Sequence, residues 1–346
     1  MHAIRRRFPS AHLTYIVEPA AAPVVARNPH IDEVIVAPRR HGIGGFAGDV
    51  ALGRRLKASA FDLAIDFHGG PRASLLTWLS GARVRVGYEI AGRGWMYTTR
   101  VARPRELRRR HSVENQWDLL TAAGITTPPS RSEFPVAMPV AADAASEVAG
   151  RLAGAGLQPS HRLVVVHVSA GNPFRRWPFE SFVSLVAALV RAQADVCVAV
   201  TSGPSDADAA HHVIAQARAA LDRDAAARVL SPGEFSLAEL RALVDRASLF
   251  IGGDSGPLHI AATSRVPIVG LYGPTLPVRS GPWRADGSVA EAVDAGELPC
   301  RPCEQRVCAP GDFRCLTRID VAAVLAAAGR ALGDVPGSVR SGATPR

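Results

Sequence analysis

Three loops gather the side chains that could do chemistry. In Ile251–Thr263 (IGGDSGPLHIAAT) an apolar strand runs into small residues and then into a helix expected over Leu258–Ser264. Gly252, Gly253 and Gly256 would let the backbone approach a ligand, and free amides at the positive end of a helix favour a phosphate. Asp254 can accept from hydroxyl groups, and His259, one turn into that helix, can point back toward the loop. In Ser169–Pro178 (SAGNPFRRWP) the hydroxyl of Ser169 precedes Arg175 and Arg176, whose forked guanidinium groups suit a diphosphate, with one of the two expected at the surface. In Thr201–Asp208 (TSGPSDAD) Asp206 either binds a ribose or sugar hydroxyl or caps the helix that follows.

A fourth group is the run Cys300-x2-Cys303-x4-Cys308-x6-Cys315. Its spacing is that of a zinc or iron–sulfur knuckle, so a structural zinc or a metal-free local staple are both open. In the first half, His68, Arg72, Arg85 and His111 lie on or near expected strand-end loops and are candidates for an anionic acceptor. The run Arg100–Arg110 holds six arginines and one glutamate, either a solvated basic face or a contact for phosphates and the membrane surface.

These residues need a scaffold of alternating strands and helices. Expected strands include His12–Val17, Glu33–Val36, Asp62–Phe67 and Val84–Gly87, then Leu163–Val168, Asp195–Thr201, Ser248–Gly252 and Val266–Tyr272. The near-continuous apolar run LVVVHV is that of a parallel strand covered on both faces. Helices are expected over Arg72–Ser80, His111–Ala123, Asp143–Ala155, Phe179–Arg191, Ala207–Leu221 and Val321–Leu332, and over Ser236–Asp245, where Ser236 and Glu239 form a capping box. Alternation in both halves implies an α/β chain of two doubly wound domains facing a cleft, with ligands at the carboxyl ends of the strands. The expected division is 1–140, 141–333 and a disordered tail 334–346, with the proline-rich Thr126–Arg131 as the linker region. Gly253–Pro257 also resembles the nucleophile segment of chymotrypsin-like proteases, but the second glycine is missing, and those proteases are paired β-barrels that do not fit this alternation.

Composition narrows the chemistry further. The chain has 346 residues, 47% hydrophobic and 21% charged, which is globular. Only Lys57 among the 40 basic residues is a lysine, so there is no Walker-type loop and no good Schiff-base candidate. The net charge of +9 lies wholly in residues 1–140, with 20 Arg/Lys against 11 Asp/Glu, so that half is expected to meet the more anionic partner. Aromatic residues number 20 and do not interleave with the basic ones, which argues against nucleic acid. No apolar run reaches the roughly 20 residues of a membrane span, and the start has no signal-peptide core. A cytoplasmic location is expected.

The blocks HVSAGNPFRRWPFESF, TSGPSDADAA and LFIGGDSGPLHIAATSRVPIVGLYGPT with its downstream SGPW resemble glycosyltransferase family 9, the heptosyltransferase family. FPSAHLTYIVEPAAAPVVARNPHIDEVIV, FDLAIDFHGGPRAS and HSVENQWDLL are similar as well, so the resemblance covers roughly residues 4–330. It implies a GT-B fold, with an acceptor domain first and a nucleotide-sugar domain second. It implies inverting transfer of heptose from ADP-heptose to the lipopolysaccharide inner core, no obligatory metal, and peripheral contact with the inner face of the inner membrane. By position, Asp254, Ser255, Gly256 and His259 would hold the diphosphate and heptose, and Ser169 would join the phosphate loop. Arg175 stands where the family has lysine in Lys-x-Trp-Pro, which keeps the charge but changes its reach. Asp206 matches an acidic position facing the nucleoside or sugar. The family's opening strand, and the loop after it that carries its catalytic acidic residue, have no counterpart ahead of Ala3–Arg7, so no catalytic residue is named. A parallel sheet without a central strand is expected to leave unpaired backbone groups or an apolar slot, and weak stability or activity of the 346-residue form follows. The alternatives are a truncated, non-catalytic nucleotide-sugar-binding protein and a related GT-B transferase with another donor.

Overall fold

The computed structural model describes residues 1–38, 42–103 and 110–333, the side chains of 42–44 and 205 excepted. The tail 334–346 and Arg105, Arg108 and Arg109 of the basic run lie outside the described residues. The chain divides into two compact units, Met1–Pro139 and a second beginning at Val140. Thr126–Arg131 is not the linker. It belongs to the first unit, where Trp117 Nε1 donates to the Thr127 carbonyl at 2.7 Å and the Trp117 ring packs on Phe134.

The first unit runs α1 (His2–Arg7), β1 (Thr14–Val17), β2 (Glu33–Val36), α2 (Gly42–Ala58), β3 (Leu63–Ile65), α3 (Pro71–Leu79), β4 (Val84–Tyr88), β5 (Thr99–Val101) and α4 (Ser112–Ala122). All pairings are parallel, but they form two sheets, β1-β2 and β3-β4-β5, and among the described residues no ladder joins β1 to β3. Two helical layers serve both sheets. Ile4, Trp117 and Leu120 pack with Leu13 and Ile65, and Ile35 packs with Leu56, Leu76 and Phe61. β1 and β3 are therefore only partly covered, and Ile16 is 38% exposed.

The second unit runs α5 (Ala142–Gly154), β6 (Arg162–His167), α6 (Phe179–Ala192), β7 (Val196–Thr201), α7 (Ala207–Ala219), β8 (Val229–Leu230), α8 (Leu237–Arg246), β9 (Leu249–Gly253), α9 (Gly256–Ala261), β10 (Ile268–Tyr272), β11 (Ala290–Asp294) and α10 (Val321–Ala331). Its single parallel sheet has the order β11-β10-β9-β6-β7-β8. β7 is buried at every position and β6 at all but its first, as the apolar runs require. Val164, Val166, Val198 and Val200 meet Leu185, Leu189 and Trp177 in the main core. Trp177 lies in this core: it is 2% exposed, and its Nε1 donates to the Ile319 carbonyl. The capping box forms, with Glu239 N donating to Ser236 Oγ and Ser236 N donating to Glu239 Oε2.

One boundary differs in a way that matters. The helix expected over Leu258–Ser264 spans Gly256–Ala261. Pro257 has a fixed φ and no N–H, so it is at home only in a first turn, which draws the start forward. Thr263 and Ser264 turn their hydroxyls onto the Ile260 and Ala261 carbonyls and close the end. The order of strands reverses between β6 and β9. The loops after these two strands flank the switch point where open α/β sheets bind ligands.

Candidate functional site

The loop after β6 is fixed from below. The His167 ring is buried between Thr201 Oγ1, 3.0 Å from Nδ1, and Ser169 Oγ, 3.2 Å from Nε2. Burial pulls His167 down to about 4, so the ring is neutral at pH 7. Ser169 Oγ in turn accepts from Gly203 N at 2.9 Å, tying the loop after β6 to the loop after β7. Arg176 is spent on the fold: Nε donates to the Ala170 carbonyl, and Nη2 pairs with Asp206 at 3.0 Å. Asp206 precedes α7 without capping it through its side chain, so its role as a helix cap is excluded and its partner is Arg176.

Arg175 faces the other loop. Its Nη1 donates to the Asp254 carbonyl at 3.2 Å and lies 3.3 Å from Asp254 Oδ2. Asp254 is 2% exposed. Its Oδ2 accepts from Thr275 Oγ1 at 2.6 Å and from Ser280 Oγ at 3.0 Å, and His259 Nε2 stands 3.6 Å from Oδ1. Burial opposes the charge, but His259, Thr275, Arg175 and Ser280 together outweigh it and hold the carboxyl below its ordinary value. In these consecutive residues two buried atoms, Asp254 Oδ1 and Ser255 Oγ, have no hydrogen-bond partner. Such orphaned groups are costly unless something else satisfies them. His259 itself is exposed, with 47% of its side chain open.

The glycines of this loop divide differently from the expectation. A Cβ on Gly252 would meet Phe250 and His167 side chains, and one on Gly253 would meet the Arg175 carbonyl at 3.1 Å, so these two serve internal packing. Only Gly256 faces open space and can admit a ligand.

Beside these loops a pocket opens at the carboxyl ends of β7 and β8. Val200, Ala210 and Ile214 form its apolar wall, with Ser202, His211, Ser231 and Glu234 among its polar lining. Ser231 and Glu234 are residues that sequence reasoning missed. They follow a strand of two residues, too short to leave a periodic signal, and only the turn Ser231-Pro232-Gly233 hints at them.

With this geometry in place, the model of glycosyltransferase family 9 (heptosyltransferase) matches residues 50–312. The chain belongs to glycosyltransferase family 9. It is similar to lipopolysaccharide heptosyltransferase 3 of Escherichia coli, 26% identical over 307 residues that cover 86% of this chain and 85% of that protein. Among solved structures it is similar to the family 9 glycosyl transferase of Veillonella parvula, with a TM-score of 0.80, 24% identity and coverage of 96% and 92%. It is also similar to the ADP-heptose heptosyltransferase II of E. coli, with a TM-score of 0.71, 19% identity and coverage of 95% and 92%. The fold is thus the GT-B α/β class expected from the motifs, and the protein is a glycosyltransferase.

In this family 9 protein the candidate acceptor residues are not equivalent. Arg72 braces the fold, with Nε on Asp49 at 2.9 Å and Nη1 and Nη2 on the Ala37 and Pro38 carbonyls. Arg85 sits at the amino end of β4, donating to the Met96 and Ala82 carbonyls, away from the ligand-binding end of the sheet. His111 is 4% exposed and caps α4, its Nδ1 accepting from Val113 N. The polar atoms of these three are engaged within the fold. His68 differs: it is exposed in the turn after β3, where Nδ1 accepts from Gly70 N. That turn hangs on buried Asp66, which accepts from the His68 and Gly69 amides and, at 2.6 Å, from Tyr97 Oη. Of the basic run, Arg110 is held by Asp118 at 2.8 Å.

Cys300, Cys303 and Cys308 are free thiols in one partly exposed loop, and Cys315, also free, lies in the helical turn Arg314–Thr317 that follows. Among the described residues no group of three or more His, Cys, Asp or Glu is arranged to hold a metal ion. Among the described residues no helix is long and apolar enough to cross a membrane.

Proposed function

We propose that the protein transfers heptose from ADP-heptose to the inner core of lipopolysaccharide, with inversion at the anomeric carbon. The observation that carries the reading is the pair of orphaned buried atoms, Asp254 Oδ1 and Ser255 Oγ, at the switch point of the sheet and next to Arg175. An acceptor and a donor left open there suit a sugar hydroxyl and a phosphate oxygen. The adenosine would lie against Val200, Ala210 and Ile214, with Glu234 accepting from ribose hydroxyls. Ser169, Arg175, Gly256 and His259 would line the diphosphate and heptose, with Arg176 and Asp206 supporting them.

In the proposed step an acceptor oxygen forms a bond to the anomeric carbon while the bond from that carbon to the diphosphate breaks. The electron pair leaves with ADP, and the acceptor proton passes to a base or to water. The charge that grows on the diphosphate would meet Arg175 and the loop amides, a preorganised stabilisation that is the largest single contribution in many transferases. The role of a bound cation would then fall to side chains, and no cofactor enters the step. On the acceptor side we place His68 at an anionic lipopolysaccharide. The surplus charge of the first unit favours a partner of that kind and contact with an anionic membrane face.

The test is transfer of labelled heptose from ADP-heptose to heptose-free lipopolysaccharide core. Labelled acceptor supports the reading. Transfer only from a UDP- or GDP-sugar would replace it with the related-donor reading, and nucleotide binding without any transfer would favour a binding protein.

A further inference from the structure

Two residues of the cysteine loop reach into the donor site, and both stand in an unusual backbone conformation. Among the described residues only Ala60, Gln305 and Phe313 combine a side chain with a positive φ, at 50°, 61° and 49°. Left-handed backbone is disfavoured for such residues and persists where the surroundings enforce it. Gln305 Oε1 accepts from Arg175 Nε at 2.6 Å and from Asn172 Nδ2 at 2.9 Å. The Phe313 ring packs on Phe174, centroids 5.4 Å apart. Asn172 Oδ1 accepts in turn from Phe174 N. The two left-handed residues thus grip both sides of the short turn that carries Arg175.

We propose that Gln305 and Phe313 are positioning residues that aim Arg175 at the donor's diphosphate, and that aiming Arg175 is what the cysteine loop does for the reaction. The chemistry of the contact fits the task. A second carboxylate at this place, beside Asp254 at 3.3 Å from Nη1, would orient the guanidinium but also neutralise it further. The neutral amide oxygen of Gln305 fixes the direction of the fork without adding another negative charge. Nη1 is held by Asp254, and Nη2 makes no hydrogen bond among the described residues. The inference rests on the proposed donor site.

The experiment is a double-mutant cycle in the full chain, read by calorimetric binding of ADP and of adenosine. Gln305→Ala weakens ADP about tenfold, the value of one hydrogen bond to a charged group, and leaves adenosine unchanged. In an Arg175→Ala background the same change has no further effect. Gln305→Glu keeps the reach but weakens ADP as well, which a purely structural role would not predict. Gln305→Gly removes the amide while relieving the backbone, so it shows the binding defect without loss of thermal stability. Equal losses in both Arg175 backgrounds, or equal losses for ADP and adenosine, would overturn the proposal. Should wild type bind no ADP, the donor reading fails, and amide exchange in the ligand-free protein decides the positioning alone. Gln305→Ala then speeds exchange at Phe174 and Arg175, and unchanged exchange rejects it.

Discussion

His167 makes the second unit sensitive to acid in a way that can be calculated. Its ring is buried between the ends of β6 and β7, titrating near 4 when folded against 6.5 when free. Between those values the unfolded chain binds a proton that the folded chain does not, so stability falls as pH falls. The gap is worth about 3 kcal/mol at its limit, and about 2 kcal/mol of it is lost by pH 5. His167→Gln keeps a polar bridge toward Ser169 but cannot titrate. Urea unfolding at pH 7 and pH 5, followed by hydrogen exchange of the segment spanning residues 162–168, isolates this unit from the other. Wild type should lose about 2 kcal/mol more than His167→Gln over that range. Parallel pH dependence in the two proteins would refute the neutral, buried ring, and with it the His167–Ser169–Gly203 tie beneath the donor loop.

Three further outcomes test the two units. Asp254→Asn removes the charge facing Arg175 and lowers kcat/KM about 100-fold, in the range of a lost transition-state contact. Because the Asp254 carboxyl is held below its ordinary value, its contribution is lost only as pH falls through that lowered value, and the ratio of ADP affinities between wild type and Asp254→Asn should stay flat from pH 7 down to the ordinary carboxylate range. Tyr97→Phe strips a hydrogen bond from buried Asp66 and costs about 1–3 kcal/mol. Urea unfolding of the first unit measures it, with faster amide exchange at His68 and Gly69, whose amides Asp66 accepts from.

The second unit was the more legible in sequence. LVVVHV and DVCVAVT are apolar enough to be buried on both faces, and the capping box at Ser236 names its helix outright. β8, with two residues, and β11, a partly exposed edge, carry no such pattern. Asp254 and Arg175 were legible because a strand, small residues and a helix start in that order place them at a ligand-binding edge. The fold contacts of Arg72, Arg85 and His111 were illegible for a single reason. Their partners are mostly backbone atoms that only folding brings near, and sequence cannot distinguish a basic residue spent on the fold from one left for a ligand. Gln305 was invisible for the same cause: it acts on a turn 130 residues away. In the first unit β1 and β3 are each paired on one side only among the described residues, which no sequence pattern indicated.

The central claim is the place of the nucleotide, and an ADP-dependent hydrogen-exchange footprint tests it most directly. ADP should protect Ser169–Arg176, Gly203, Gly233–Glu234 and Asp254–Gly256 together, more strongly than UDP or GDP. Protection confined to other parts of the chain, or none in these four segments at saturating ADP, would contradict the account.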